Sequence, residues 1–280
     1  MDTSLARTDH PKLELLRGIL ASMDGAVVAF SGGADSALVA AMAAKTLGER
    51  ALAVTAVSPS LPPGELDGAR TFANSLGIRH RSVRTHELDR EGYLANGPDR
   101  CYHCKSELYD VLLDVARQEG VSVVLSGANV DDLGDLRPGL RAAAERGVRH
   151  PLVEAGLTKW DVREASRFLG LPTWDKPASA CLSSRIPHGV RITVEELSRV
   201  GRAERALKAL GFSQVRVRVH GEVVRIEVEP EDLSRLASGE VRARAVEALK
   251  GLGYRFVALD LEGFRSGSMN PEPDADPGPP

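Results

Sequence analysis

Ala26-Val27-Val28-Ala29-Phe30 runs directly into Ser31-Gly32-Gly33-Ala34-Asp35-Ser36, and this junction decides the fold. A short apolar β-rich run enters a Gly-Gly turn, and a helical pattern over residues 37–47 leaves it. Two glycines permit positive φ and let the backbone approach a ligand closely. The helix that follows directs its unpaired N–H groups and positive dipole end at whatever occupies the turn. Such a strand–turn–helix cradles phosphate. Asp35 cannot hold a bare anion, but it could hold Mg²⁺ beside one. The lysine of the Walker pattern is absent, so this is not an ordinary P-loop.

Working outward, residues 12–22 read as an amphipathic helix. Residues 51–57, 79–83, 121–125 and 150–153 read as further strands, with helices over 64–76, 105–118 and 159–169. Alternating strands and helices imply parallel βαβ units in an open α/β sheet, with ligands beyond the carboxyl ends of its strands. The rhythm changes near Pro187. Residues 193–210 predict a helix capped near Thr193, and 215–219 with 223–228 alternate as an antiparallel hairpin with one buried face. A helix over 231–249, interrupted at Gly239, and a strand over 255–259 complete a small α+β domain. The expected organisation is an α/β domain over 1–187, a smaller domain over 188–266 and a Pro-rich, disordered tail over 267–280.

The 280 residues are 42% hydrophobic but only 4% aromatic, so aliphatic packing must dominate the core. A net charge of -3 argues against nucleic acid as the main partner. No apolar run is long enough to span a membrane, and no signal-peptide pattern opens the chain. With only three cysteines, a cytoplasmic protein with reduced thiols is expected.

Those cysteines stand in two places: Cys101-Tyr102-His103-Cys104-Lys105, read as a CxxC just before a helix, and Ala178-Ser179-Ala180-Cys181-Leu182-Ser183-Ser184-Arg185. Three readings stay open on spacing alone. Three thiolates could hold a [4Fe–4S] cluster with one open iron. Three cysteines and His103 or His188 could hold Zn²⁺. The CxxC could also be accidental, with Cys181 a core residue.

The loop Ser31–Ser36 resembles the signature of the PP-loop ATP pyrophosphatases, which cleave ATP to AMP and pyrophosphate. Together with Cys101–Lys105, the stretch Ser126-Gly127-Ala128-Asn129-Val130-Asp131-Asp132 and the segment 178–185, the chain resembles the LarE family over residues 12–265. These are ATP-dependent sulfur transferases of nickel-pincer nucleotide cofactor synthesis. The resemblance implies a fold of the adenine nucleotide alpha-hydrolase type, a homo-oligomer, and ATP bound by Ser31, Gly32, Gly33, Asp35, Ser36 and Gly127. It implies adenylation of the carboxylates of a pyridinium-3,5-biscarboxylic acid mononucleotide and displacement of AMP by sulfur. The family has a type that sacrifices the sulfur of the cysteine matching Cys181. A three-cysteine type delivers sulfide from a [4Fe–4S] cluster, here on Cys101, Cys104 and Cys181. All three cysteines are present, so the resemblance points to the cluster type, with Mg²⁺ and ATP as further cofactors. A tRNA thiolase is the nearest alternative, disfavoured by a sequence pI of about 6.2.

Arg216 and Arg218 alternate with Val215, Val217 and Val219, which puts both guanidinium groups on one strand face. They could clamp a mononucleotide phosphate or simply face water. The resemblance favours the clamp, with Arg185 in a similar role and Glu204 nearby. Asp131, Asp132 and Asp135 could assist Mg²⁺ or cap a turn.

Overall fold

The computed structural model describes residues 10–134, 138–177 and 179–265. The tail expected over 267–280, Asp135 and Ala178 lie outside the described residues. The chain forms two compact units. The first runs to Leu94 and again from Pro98 to Ser179; the second takes Ala95–Gly97 and the chain from Ala180 onward. The boundary expected after Pro187 thus falls inside the second unit. The reason is Arg185, whose buried side chain is bonded to Glu204 of that unit.

The first unit holds a four-stranded parallel sheet of order β3-β2-β1-β4, with β1 Ala26–Ala29, β2 Ala51–Val57, β3 His80–Arg84 and β4 Val124–Leu125. Side chains alternate across it. Ala26 and Val28 face a core built with α1 (Pro11–Ala21), α2 (Ala34–Leu47) and α8 (Lys159–Phe168). Val27, Leu52 and Val54 face a second core with α5 (Arg100–Gln118) and α6 (Pro138–Ala144). Helices α3 (Glu65–Ser75), α4 (Glu91–Leu94) and α7 (Pro151–Glu154) complete the unit. The chain steps from β1 outward to β2 and β3 and returns to the other side at β4, so the crevice beyond β1 and β4 is the topological switch point.

Two expectations need correction here. The strand expected over 150–153 is α7, because Pro151 sits at its first position, where a missing N–H is harmless. Pairing with β4 falls one residue earlier, at Arg149 opposite Leu125. The CxxC lies inside α5 rather than before it, since the helix already starts at Arg100, after Asp99.

In the second unit, α9 (Val194–Ala209) is capped by Thr193, whose side chain accepts the Glu196 N–H at 3.1 Å. It packs on the sheet β5-β6-β7, formed by Val215–His220, Val223–Val228 and Phe256–Leu259, in which β7 joins parallel to β6. The expected helix over 231–249 is two helices, α10 (Leu233–Ala237) and α11 (Gly239–Gly251), parted at an extended Ser238. The hairpin is buried on both faces of β5, not one, because Glu227 meets Arg218 and the Phe264 ring lies against Arg216. Among the described residues no helix is long and apolar enough to cross a membrane.

Candidate active site

The turn after β1 is preformed. Gly32 adopts φ +76°, the left-handed region that favours glycine. The two serines close the loop: Ser36 Oγ accepts the Ser31 N–H at 3.2 Å, lies 3.1 Å from Ser31 Oγ and donates to the Gly33 carbonyl at 3.2 Å. Gly33 is the N-cap of α2 and offers no side-chain cap, so the first amides of this 14-residue helix stay directed at the turn. Gly127, after β4, packs on that helix end. A Cβ there would fall 2.7 Å from the Ser36 nitrogen and 2.9 Å from its Cα. Only glycine lets the two loops meet.

Asp35 stands in the first turn of α2 and accepts a hydrogen bond from Asn129 Nδ2 at 3.0 Å. Burial raises its pKa above the ordinary aspartate value, with the Asn129 bond and the Lys159 charge opposing. Asn129 is itself fixed by its neighbours. Its N–H donates to Asp132 Oδ2 and its Oδ1 accepts the Asp131 N–H, both at 3.0 Å. Asp131 Oδ2 accepts the Lys159 N–H at 2.7 Å. The two aspartates thus cap turns, and Asp131 ties the β4 loop to α8.

Two cavities share Ser31, Gly33 and Asp35. One, of about 470 Å³, is walled by Phe30, Val54, Ala56, Leu108 and Tyr109 and also reaches Ser36 and Gly127. The other, of about 190 Å³, is lined by Lys159, Arg163, Lys176 and Glu65. Lys176 Nζ donates to the Gly32 carbonyl at 3.0 Å and to Glu65 Oε2 at 2.8 Å. The loop therefore divides a mostly apolar chamber from a cationic one, with Asp35 on the divide. The sequence reading missed these three cations. Lys159 and Arg163 carried a signal, four residues apart behind the Thr158 cap, whereas Lys176 carried none.

Cys101 is exposed and lines the larger cavity; Cys104 is half-buried, three residues further along α5. That spacing puts both thiols on one side of the helix. His103 is turned elsewhere: its Nε2 lies 3.1 Å from Asp99 Oδ2, and a Cβ on Gly92 would sit 2.2 Å from the same nitrogen. The ring is seated against Gly92, and His188, the other candidate zinc ligand, is exposed on the second unit. Within neither unit, among the described residues, do three His, Cys, Asp or Glu side chains form a metal-holding group.

In the second unit, Cys181 precedes the short 3-10 turn Leu182–Arg185. Arg185 is fully buried. Its Nε and Nη2 donate to Glu204 at 2.7 and 3.1 Å, and its Nη1 to the carbonyls of Ala180 and Cys181 at 3.0 and 3.1 Å. Arg218 donates twice to Glu227, at 3.0 and 2.8 Å, and once to the Ser184 carbonyl at 2.9 Å. Arg216, 7% exposed, lies 5.2 Å over the Phe264 ring. Burial, then the charge of Arg185, lowers its pKa to about 10. The solvated strand face allowed by the sequence is thus replaced by a buried cluster of arginines and glutamates.

Residues 16–93 match the family model of NAD synthase. The chain is 49% identical over 259 residues to an uncharacterized protein of Synechocystis sp., covering 92% of this chain and 97% of that one. It is 41% identical over 261 residues to the pyridinium-3,5-bisthiocarboxylic acid mononucleotide synthase of Lactiplantibacillus plantarum, covering 92% and 94%. Similarity to the tRNA-specific 2-thiouridylase of Rickettsia rickettsii is 28% over 191 residues and covers 55% of this chain and 52% of that one. A loop and helix end shaped for phosphate, inside a parallel α/β unit, thus accompany an end-to-end relative of known activity, and the chain belongs to the LarE family of ATP-dependent PP-loop enzymes.

Proposed function

We propose that this enzyme uses ATP to activate the carboxylates of pyridinium-3,5-biscarboxylic acid mononucleotide and converts them to thiocarboxylates. The observation that carries the reading is the shared wall of the two cavities, in a chain 41% identical throughout to a synthase of the bisthiocarboxylic product. A nucleoside monophosphate fits the larger, apolar chamber, and a pyrophosphate leaving group fits the chamber of Lys159, Arg163 and Lys176. The bond to be broken then lies beside Asp35, a carboxylate that would hold Mg²⁺ to offset phosphate charge. Carboxylate oxygen is a poor leaving group; adenylation turns it into AMP, which a sulfur nucleophile can displace.

Arg216 is buried close to the charges of Arg185 and Arg218, a cluster of guanidinium groups suited to an anion. This supports a substrate phosphate site at Arg216. Arg185 acts mainly as a support, since its donors hold Glu204 and the backbone on either side of Cys181. Cys181 is the sulfur-handling residue of this reading, with Cys101 and Cys104 as its partners. The three are free cysteines, soft ligands of the kind that hold iron–sulfur clusters. Cys101, Cys104 and Cys181 would hold a [4Fe–4S] cluster, which when bound supplies sulfide to the activated carbonyl carbon. Assembly as a homo-oligomer belongs to the same reading.

The test is pyrophosphate release by anaerobically purified enzyme, with iron, acid-labile sulfide and zinc measured on the same sample. Release that requires the biscarboxylic mononucleotide supports the reading; release that requires tRNA instead overturns it. Iron and sulfide lost in Cys→Ala variants support the cluster. A metal-free enzyme that loses the sulfur of Cys181 on turnover makes that cysteine a sacrificial donor.

A further inference from the structure

We propose that Lys105 is a catalytic residue of adenylation, the cation that neutralises the α-phosphoryl group while the substrate carboxylate attacks it. The inference rests on the adenylation reading above. Among the described residues Lys105 is the one cation lining the larger cavity, where Asp35 and Asp132 line the same space. It follows Cys101 by four residues on α5, so both share the helix face turned to the cavity.

Its side chain is held in place. A Cβ on Gly139 of α6 would fall 3.1 Å from Lys105 Cγ, so the aliphatic stem runs in a slot that the glycine leaves open. The ammonium lies 5.8 Å from the centroid of the buried Tyr109 ring. Its charge also reaches His150, whose Nδ1 is 2.6 Å from Ser126 Oγ on the cavity wall.

The reaction needs such a group. The carboxylate oxygen forms a bond to Pα as the bond from Pα to the bridging oxygen of the β-phosphate breaks. The electron pair of the broken bond departs with pyrophosphate, and no proton is transferred. Two anions, carboxylate and α-phosphate, must therefore meet in a chamber with mostly apolar walls. Lys159, Arg163 and Lys176 line the other chamber and serve the departing charge. A fixed cation on the nucleoside side offsets the charge gathered at Pα.

The test compares the wild-type enzyme with Lys105→Met, Lys105→Arg and Gly139→Ala. AMP binding is measured by calorimetry, and substrate-dependent pyrophosphate release by its kcat. Loss of one preorganised electrostatic group costs about 10²–10³-fold in rate, so Lys105→Met is expected to lower kcat by that much and to leave AMP affinity within about threefold. Lys105→Arg is expected to recover part of the rate. Gly139→Ala, which crowds the stem and leaves the ammonium in place, is expected to fall between. Unchanged kcat in Lys105→Met overturns the inference, as does an equal loss of AMP affinity and rate. A wild-type enzyme that binds AMP but releases no pyrophosphate with the mononucleotide overturns the adenylation reading itself, before any variant is compared.

Discussion

Replacing Glu204 by Gln is expected to destabilise the second unit through a charge left behind. Arg185 is 0% exposed, so without its partner its guanidinium is a buried cation with no carboxylate against it. Gln keeps the volume of Glu204 and one oxygen for the Val217 N–H, which Glu204 Oε1 now accepts at 3.2 Å. What it removes is the negative charge that meets the guanidinium at 2.7 and 3.1 Å. Removing one partner of a buried pair costs about 3–5 kcal/mol, roughly a hundred- to several-thousand-fold in the folding equilibrium. Arg185→Met combined with Glu204→Gln strands no charge. It leaves the carbonyls of Ala180 and Cys181 without the Nη1 donor, a loss of about 1–3 kcal/mol. The double variant should therefore be more stable than Glu204→Gln alone. Tryptophan fluorescence is blind to this unit, because Trp160 and Trp174 both lie in the first. Hydrogen exchange of α9 in rising urea, read by mass spectrometry, reports on it directly. The same digests give the alkylation rate of Cys181, expected to rise in the double variant while Cys101 keeps its rate. A Glu204→Gln cost below about 1 kcal/mol, or a double variant no more stable than the single one, would refute the reasoning.

Gly127→Ala is expected to separate the β4 loop from the helix end it supports. Restoring a 3.4 Å contact from 2.7 Å requires a shift of about 0.7 Å against backbone atoms, and misplacements near 1 Å cost about 10²-fold in rate. Steady-state kinetics with ATP as the varied substrate should show a drop in kcat/KM of about 10- to 10²-fold. Asp161 supplies a pH test of the fold. Burial pushes its carboxyl up, but the bonds from Lys12 Nζ at 2.5 Å and from Thr158 outweigh that and hold it down to about 2. A depressed acid stabilises the fold above its ordinary value of 3.8 and loses that contribution as pH falls towards 2. Asp161→Asn should therefore cost about 2 kcal/mol at neutral pH, with the gap to wild type closing between those two pH values in urea titrations.

The architecture of the first unit was legible because its signals are local. Apolar runs of strand length, a Gly-Gly turn and helical periodicity place β1, α2 and β2 without reference to distant residues. Where the reading slipped, a local signal was outweighed by its neighbour. Residues 150–153 have the composition of a strand, yet Pro151 starts a helix. The first turn of α5 carries the CxxC, and its N-cap Asp99 makes no side-chain cap bond that the sequence could advertise. The buried arginines show the larger gap. Alternation puts Arg216 and Arg218 on one face of β5, and a charged face reads as solvated. What buries Arg218 is Glu227 on the paired strand, and what buries Arg185 is Glu204 on α9. Such partners are visible only once the chain has folded.

The same limit governs the candidate site, and it bears on the chemistry. The loop itself says phosphate but not which phosphate bond is broken. A P-loop lysine would favour the terminal phosphates, and here that lysine is missing. Three cations come instead from α8 and from the loop carrying Lys176, and they line one side of Ser31, Gly33 and Asp35. The other side is walled by Phe30, Val54, Ala56 and Leu108, surfaces that favour a base and a sugar over a polyphosphate. Three cations on one side and most of the apolar wall on the other thus part at one carboxylate, with Lys105 the cation of the apolar side. A nucleoside triphosphate laid across that divide, with its base in the apolar chamber, would place Pα beside Asp35 and the two outer phosphates among Lys159, Arg163 and Lys176. Attack at Pα would then send the more highly charged fragment into the cationic chamber, and the fragment with the base would remain where a second nucleophile must reach it. Cleavage between the outer phosphates would leave the opposite distribution, with a diphosphate straddling the divide and a single phosphate facing three cations. The arrangement of charge therefore favours adenylation over phosphorylation, a distinction the loop sequence alone does not carry.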